Sequence, residues 1–104
     1  MPQKFEQIWK FPFTKETAVD GDLSSHVVDM PWRAKILAGQ FQDGTLCLWA
    51  RVDPTAKTVR RTFHVVGTGR PYCFDSLHYI ATVQKDIFVF HVFEEIYEFE
   101  ERTS

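Results

Sequence analysis

Apolar and polar residues alternate with a period of two along most of the chain. The clearest example is the segment 45–53, where one face carries Leu46, Leu48, Ala50 and Val52 and the other carries Cys47, Trp49 and Arg51. A period of two is the side-chain repeat of a β-strand rather than of a helix. The alternation therefore predicts a strand over this segment.

A hairpin signal stands directly before that strand. Asp43-Gly44 separates it from another extended segment, residues 34–42, and Asp-Gly between two such segments is the strongest short-range sign of a β-hairpin. After a turn predicted at 53–57, alternation resumes over 58–66. Residues 34–66 are therefore predicted to form a three-stranded meander.

The remaining segments are also extended. Residues 77–84 are predicted as a strand, and residues 87–93, apolar at nearly every position, as a central strand covered on both faces. Residues 7–13 contain Pro12 and are predicted as an edge strand, 24–30 as a short strand and 14–23 as a loop. Over 94–101 helical and strand spacing both fit, and strand continuation is favoured.

The fold prediction is an all-β, compact antiparallel β-sandwich or small barrel of six to seven strands. It forms a single domain over residues 1–104, with an acidic and aromatic C-terminal extension at 94–104. The 104 residues fit one domain, and ten Phe, three Trp and three Tyr supply large side chains for its core.

Composition also bears on the setting of the protein. The N-terminus has no apolar signal segment, and no apolar run is long enough to cross a membrane. These features predict a cytoplasmic protein without a membrane partner, in which Cys47 and Cys73 are reduced. A disulfide between the two cysteines would need an oxidising compartment.

Charge is distributed unevenly. Residues 33–70 carry an excess of five positive charges, whereas residues 94–104 carry an excess of four negative charges. The basic segment fits either an anion-attracting patch or a solvated surface with internal ion pairs. The sequence pI of about 6.0 argues against nucleic acid as a partner.

The loop at 67–70 is the strongest candidate for ligand chemistry. Glycine allows backbone amides to approach an anion closely, and the Arg70 guanidinium suits a phosphate. Arg60 is expected to face solvent, Arg61 to cap the edge of the core, and Trp49 to be half-exposed and able to stack a ring. The predicted ligand-binding residues are Trp49, Arg60, Gly67, Thr68, Gly69 and Arg70. The alternatives are a plain turn at the glycines and a core position for each tryptophan, including Trp9 and Trp32.

Catalytic patterns are weak in this sequence. Its four histidines are scattered, and there is no nucleophile elbow, phosphate-binding P-loop or zinc spacing of cysteines. The prediction is a protein that is not an enzyme and needs neither a metal nor a cofactor.

Several blocks of the sequence resemble, in order, a family of short proteins from tailed phages and prophages that is catalogued as a domain of unknown function. The blocks are Ile8–Pro12, Ala34–Leu37, Cys47–Pro54, Phe63–Pro71, Tyr79–Thr82 and Phe90–Phe93. The resemblance implies a phage-related origin and an infected host cell as the setting, and it supplies no catalytic residues. The connection after the first block and the tail after Glu94 depart from the family pattern.

The functional prediction is a non-enzymatic, phage-encoded binding protein that modulates or blocks a host system. It would do so by sequestering a nucleotide or other phosphate ligand, or by binding a host protein. The alternative is a structural or assembly protein that forms a homo-oligomer, with Tyr97 and Phe99 of the tail as the contact.

Overall fold

The structure is a computed structural model that describes residues 3–96, and its strands form two antiparallel sheets. The strands are β1 (Gln7–Pro12), β2 (Glu16–Asp20), β3 (Leu23–Pro31), β4 (Lys35–Gln42), β5 (Thr45–Val52), β6 (Thr58–Gly67), β7 (Leu77–Lys85) and β8 (Phe88–Glu95). One sheet has the order β1-β5-β4 and the other β2-β3-β6-β8-β7. The all-β sandwich prediction is confirmed. The described part of the chain has eight strands rather than six or seven, and they do not close into a barrel.

The core lies between the two sheets and is built from their alternating inward faces. The face of β5 predicted to be apolar is the buried one, because Leu48, Ala50 and Val52 are fully buried. Phe63 of β6 and Val92 of β8 meet them from the larger sheet and are equally buried. Apolar burial on the inward faces is therefore the main force holding the sheets together.

The sheets come closest where β4 passes over β7. A β-carbon built on Gly39 would lie 3.0 Å from Cδ2 of Leu48 and 3.4 Å from the β-carbon of Ala81. This contact leaves little room for a side chain at Gly39.

The predicted hairpin is confirmed, but the predicted meander is wrong. β4 and β5 pair antiparallel, and their turn places Asp43 at φ 52° and Gly44 at φ 81°, the left-handed conformation that tight hairpins require. β6, however, pairs with β3 and β8 in the other sheet. β5 already has β1 and β4 on its two edges, so it has no free edge for β6.

The prediction of a loop over residues 14–23 is also wrong in part. Residues Glu16–Asp20 form β2, an edge strand whose side chains are all exposed. Because neither face of β2 is buried, its sequence lacks the alternation that marks a half-buried strand. β1 is the edge strand expected from Pro12, and β3 and β7 include the strands predicted at 24–30 and 77–84.

β8 is central in its sheet, as predicted, because β6 and β7 pair with its two edges. The prediction that it is covered on both faces is wrong at its start, where Phe88 is 59 % exposed. The strand continues through Glu95, while Tyr97 and Phe99 lie outside the described residues.

Candidate functional site

The guanidinium of Arg70 is already paired with carboxylates of the chain. Its Nη1 donates a hydrogen bond to Oδ1 of Asp22 at 2.9 Å, and its Nη2 donates to Oδ2 of Asp20, also at 2.9 Å. Asp20 is the last residue of β2, and Asp22 lies in the turn between β2 and β3. The group predicted to hold a phosphate thus holds this turn against the loop at 67–70.

The other residues of that loop have local structural roles. A β-carbon on Gly67 would collide with the carboxylate of Asp22, and the Gly67 amide donates to the Asp22 carbonyl at 3.0 Å. The Thr68 hydroxyl donates to the Val89 carbonyl at 3.1 Å and lies 2.8 Å from Nε2 of His91. Gly69 adopts φ 88°, which favours glycine. Packing and backbone geometry therefore account for both glycines.

The structure does not bring the six predicted ligand residues into one cleft. Trp49 lies on the outward face of β5 in the three-stranded sheet, in register with Lys10 and Ala38. Arg60 lies on β6 in the five-stranded sheet and pairs with Asp29 at 3.2 Å. Gly67 follows seven residues later at the other end of β6, a separation of roughly 23 Å along an extended strand.

Arg61 packs at the edge of the core, but its head is paired rather than hydrated. Nη2 donates to Oε1 of Glu94 at 2.7 Å and Nη1 donates to the carbonyl of Ala34 at 2.8 Å. The Arg61 and Glu94 side chains are only 19 % and 13 % exposed. This ion pair joins β6 to β8 and to the start of β4.

A different group of cations surrounds the turn between β3 and β4. The Ala34 amide donates to the Pro31 carbonyl at 3.0 Å, and the Trp32 amide donates to the Lys57 carbonyl at 2.7 Å. Between them Arg33 adopts φ 65°, a left-handed conformation that is uncommon for a residue with a side chain. Asp43, Ser76 and Asp86 adopt the same conformation at other turns, so it defines the local shape of this turn.

The turn presents Trp32 to solvent between two positive charges. Trp32 is 47 % exposed, the guanidinium carbon of Arg33 lies 4.4 Å from its ring centroid, and Nζ of Lys57 lies 5.8 Å from it. These are cation–π distances. An exposed indole flanked by cations can accept a flat ring and an anionic group side by side.

A pocket of about 340 Å³ opens beside this turn. It is lined in part by Trp32, Arg33, Arg60, Arg61, His78 and Glu94. Arg60 and Arg61 are neutralised by Asp29 and Glu94, whereas neither Arg33 nor Lys57 forms an ion pair with any carboxylate among residues 3–96. Within residues 3–96, the two cations that contact the Trp32 ring therefore form no ion pair.

A hydrogen-bonded cluster around His64 fastens the loop after β6 to the outer face of the larger sheet. The Ser25 and Tyr72 hydroxyls each lie 3.0 Å from Nδ1 of His64, and Glu95 lies 2.7 Å from Nε2. When Nε2–H donates a hydrogen bond to the Glu95 carboxylate, the neutral ring has a single lone pair, on Nδ1, for the two hydroxyls. Phe74 continues the contact by packing on Phe93, with ring centroids 4.8 Å apart.

The family model of DUF7352, a domain of unknown function, matches residues 5–103. The chain belongs to the DUF7352 family. No curated protein and no solved structure matched it.

The described part of this DUF7352 domain contains neither a metal-binding cluster nor a membrane-spanning helix. Residues 3–96 contain no cluster of three or more His, Cys, Asp or Glu side chains able to hold a metal ion. Within the same range there is no helix long and apolar enough to cross a membrane. Cys47 and Cys73 are both free.

The ligand residues predicted from the sequence include neither Arg33 nor Lys57, although both lie in the basic segment 33–70. The sequence does not distinguish Trp32 from Trp9 and Trp49 as a residue able to stack a ring. The available signal was a Trp-Arg pair after Met30-Pro31, at a turn that exposes both side chains.

Proposed function

We propose that this DUF7352 protein is a non-enzymatic binding protein that takes a small phosphate-bearing ligand, specifically a nucleotide, in the pocket beside Trp32. The observation that carries the proposal is the half-exposed Trp32 indole beside Arg33 and Lys57, which have no ion-pair partner among residues 3–96. Of the residues predicted from the sequence, Arg60 also lines this pocket.

The base and the phosphates of a nucleotide each have a partner at this site, where Lys57 lies beside Trp32 but outside the pocket lining. The base stacks on the Trp32 indole, an interaction that accepts any base because every base has a π face. The phosphates pair with Arg33 and Lys57, since a guanidinium forms paired, charge-assisted hydrogen bonds with phosphate oxygens. On binding, Arg33 and Lys57 would leave the Trp32 ring and form hydrogen bonds with the phosphate oxygens. These charge-assisted bonds are stronger than exposed cation–π contacts and would supply the binding energy.

The resemblance to phage proteins supports a biological role for such binding. A small protein made in an infected cell can lower the free concentration of a host signalling nucleotide simply by holding it. We therefore propose that the protein modulates or blocks a host system by sequestration, with no chemical step.

A thermal-shift screen with ADP, ADP-ribose and cyclic dinucleotides tests this proposal. A ligand present at ten times its dissociation constant adds about 1.4 kcal/mol to the free energy of unfolding, which raises Tm by several degrees in a domain of this size. We expect at least one nucleotide to do so. The proposal is overturned when none of them shifts Tm at millimolar concentration.

A matched pair of variants locates the binding. Arg33→Gly removes one positive charge while permitting the left-handed backbone of the turn. Lys10→Gln removes one positive charge from β1 in the other sheet. The first variant should lose most of the nucleotide-induced shift and the second should keep it. Equal loss in both would indicate a general charge effect rather than a site.

A second candidate function, a structural or assembly protein, is favoured by an edge strand of the smaller sheet. Within residues 3–96, β1 pairs only with β5 and carries Ile8, which is 63 % exposed, and Phe5, shortly before β1, is 80 % exposed. Free strand edges can pair with another chain. Light scattering tests this candidate: a mass of 12.2 kDa contradicts self-assembly and about twice that mass supports it.

A further inference from the structure

A second pocket lies between the two sheets, at the end of the sandwich that contains the β4–β5 hairpin. Its volume is about 290 Å³, and its main lining side chains are Phe13, His26, Phe41, Leu46, Val65 and Phe90. Gly44 and Thr45 of the hairpin also line it, and Gly44 is exposed to solvent. The pocket is thus open at the hairpin and closed by the core.

The walls of this inter-sheet pocket are aromatic on both sides. Phe41 from the smaller sheet and Phe90 from the larger one have ring centroids 6.0 Å apart. Phe13 stacks on His26 with centroids 4.8 Å apart. Aromatic rings pack favourably on other rings, so the lining suits a flat apolar molecule.

His26, a residue of this wall, has one buried polar atom without a hydrogen-bond partner among residues 3–96. The Ser24 hydroxyl lies 2.7 Å from Nε2 of His26, whereas Nδ1 of the same ring is buried and has no hydrogen bond within residues 3–96. Buried polar atoms are almost always hydrogen-bonded, so an unpaired one requires an explanation. Apolar pockets with very few placed polar groups are typical of small-molecule sites.

We propose that the inter-sheet pocket binds a small aromatic molecule carrying one hydroxyl group, which pairs with Nδ1 of His26. This proposal is separate from nucleotide binding at Trp32, since the two pockets share no lining residue. A hydroxyl fits either tautomer of the imidazole, because it donates when Nδ1 is bare and accepts when Nδ1 carries the proton. Nδ1 is buried when the pocket is empty, so the proposal requires the imidazole to turn until Nδ1 meets the ligand.

Calorimetry with 2-naphthol and naphthalene separates the hydrogen bond from apolar packing. We expect the wild-type protein to bind 2-naphthol roughly tenfold more tightly than naphthalene, the ratio expected for one additional net hydrogen bond. His26→Phe keeps a ring in the wall and should bind the two molecules about equally. His91→Phe makes the same substitution at a histidine that does not line the pocket, and it should bind both molecules as the wild type does.

The same titration followed by NMR of the imidazole nitrogens needs no variant. The Nδ1 resonance of His26 should move when 2-naphthol is added and stay in place when naphthalene is added. Failure of 2-naphthol to bind, equal affinity for both molecules in the wild type, or an unchanged Nδ1 resonance would each overturn the proposal. Adding ADP should not displace 2-naphthol, and this result keeps failure of one site distinct from failure of the other.

Discussion

Arg60 and Arg61 are adjacent on β6 but point to opposite faces of the sheet, so their ion pairs contribute differently to stability. Arg60 is 62 % exposed and pairs with an exposed Asp29, whereas Arg61 and its partner Glu94 are both mostly buried. Exposed ion pairs contribute little because water screens them, while removing one member of a buried pair leaves the other charge without compensation.

The first prediction compares alanine substitutions at these two positions. Arg61→Ala should lower the free energy of unfolding by about 3 kcal/mol, because the Glu94 carboxylate and the Ala34 carbonyl lose their donors. Arg60→Ala should lower it by less than about 1 kcal/mol. Urea denaturation measures both values, and similar losses for the two variants would contradict the assignment of burial.

The second prediction concerns pH. Burial lowers the pKa of His26, Glu16 acts in the opposite direction, and His64 lowers the pKa further. The unfolded chain therefore binds a proton at higher pH than the folded protein does, so stability should fall as pH decreases below about 6.5. His26→Phe should flatten this slope in urea denaturation between pH 7.5 and 5. An unchanged slope would show that other groups cause it.

At the scale of the elements, the sequence revealed which segments are strands better than it revealed their partners. Alternation predicted β5 and β6 because burial of one face imposes it. The prediction of a three-stranded meander was wrong because a strand can pair only where a neighbouring strand has a free edge. Whether an edge is free depends on segments distant in sequence, as β1 does for β5. β2 was missed because an edge strand with both faces exposed needs no apolar pattern.

The third prediction tests the close approach of β4 and β7. Gly39→Val should lower the free energy of unfolding by about 1–3 kcal/mol, since even a β-carbon there is tight against Leu48 and Ala81. Ala38→Val introduces the same residue one position earlier, on the exposed face of β4, where a β-branched side chain suits a strand. Thermal unfolding should separate the two variants, and equal Tm values would be inconsistent with this packing.

At the scale of the whole molecule, contacts between segments distant in sequence determine which cations form ion pairs. The basic middle segment contains both Arg33 and Arg70, and sequence reasoning chose Arg70 because glycines flank it. The fold places Asp20 and Asp22 against Arg70, although they are about fifty residues away in sequence. Which cations remain unpaired depends on such long-range contacts, and local sequence does not show them.

The central claim, nucleotide binding beside Trp32, is tested most directly by NMR of the three indole N–H groups during titration with ADP. Trp32 borders the proposed pocket, Trp49 lies on the outward face of the other sheet, and Trp9 lies on the edge strand β1. We predict a saturable shift of the Trp32 indole resonance while the Trp9 and Trp49 resonances stay in place. A stationary Trp32 resonance, or a saturable shift confined to Trp49, would contradict the proposed site.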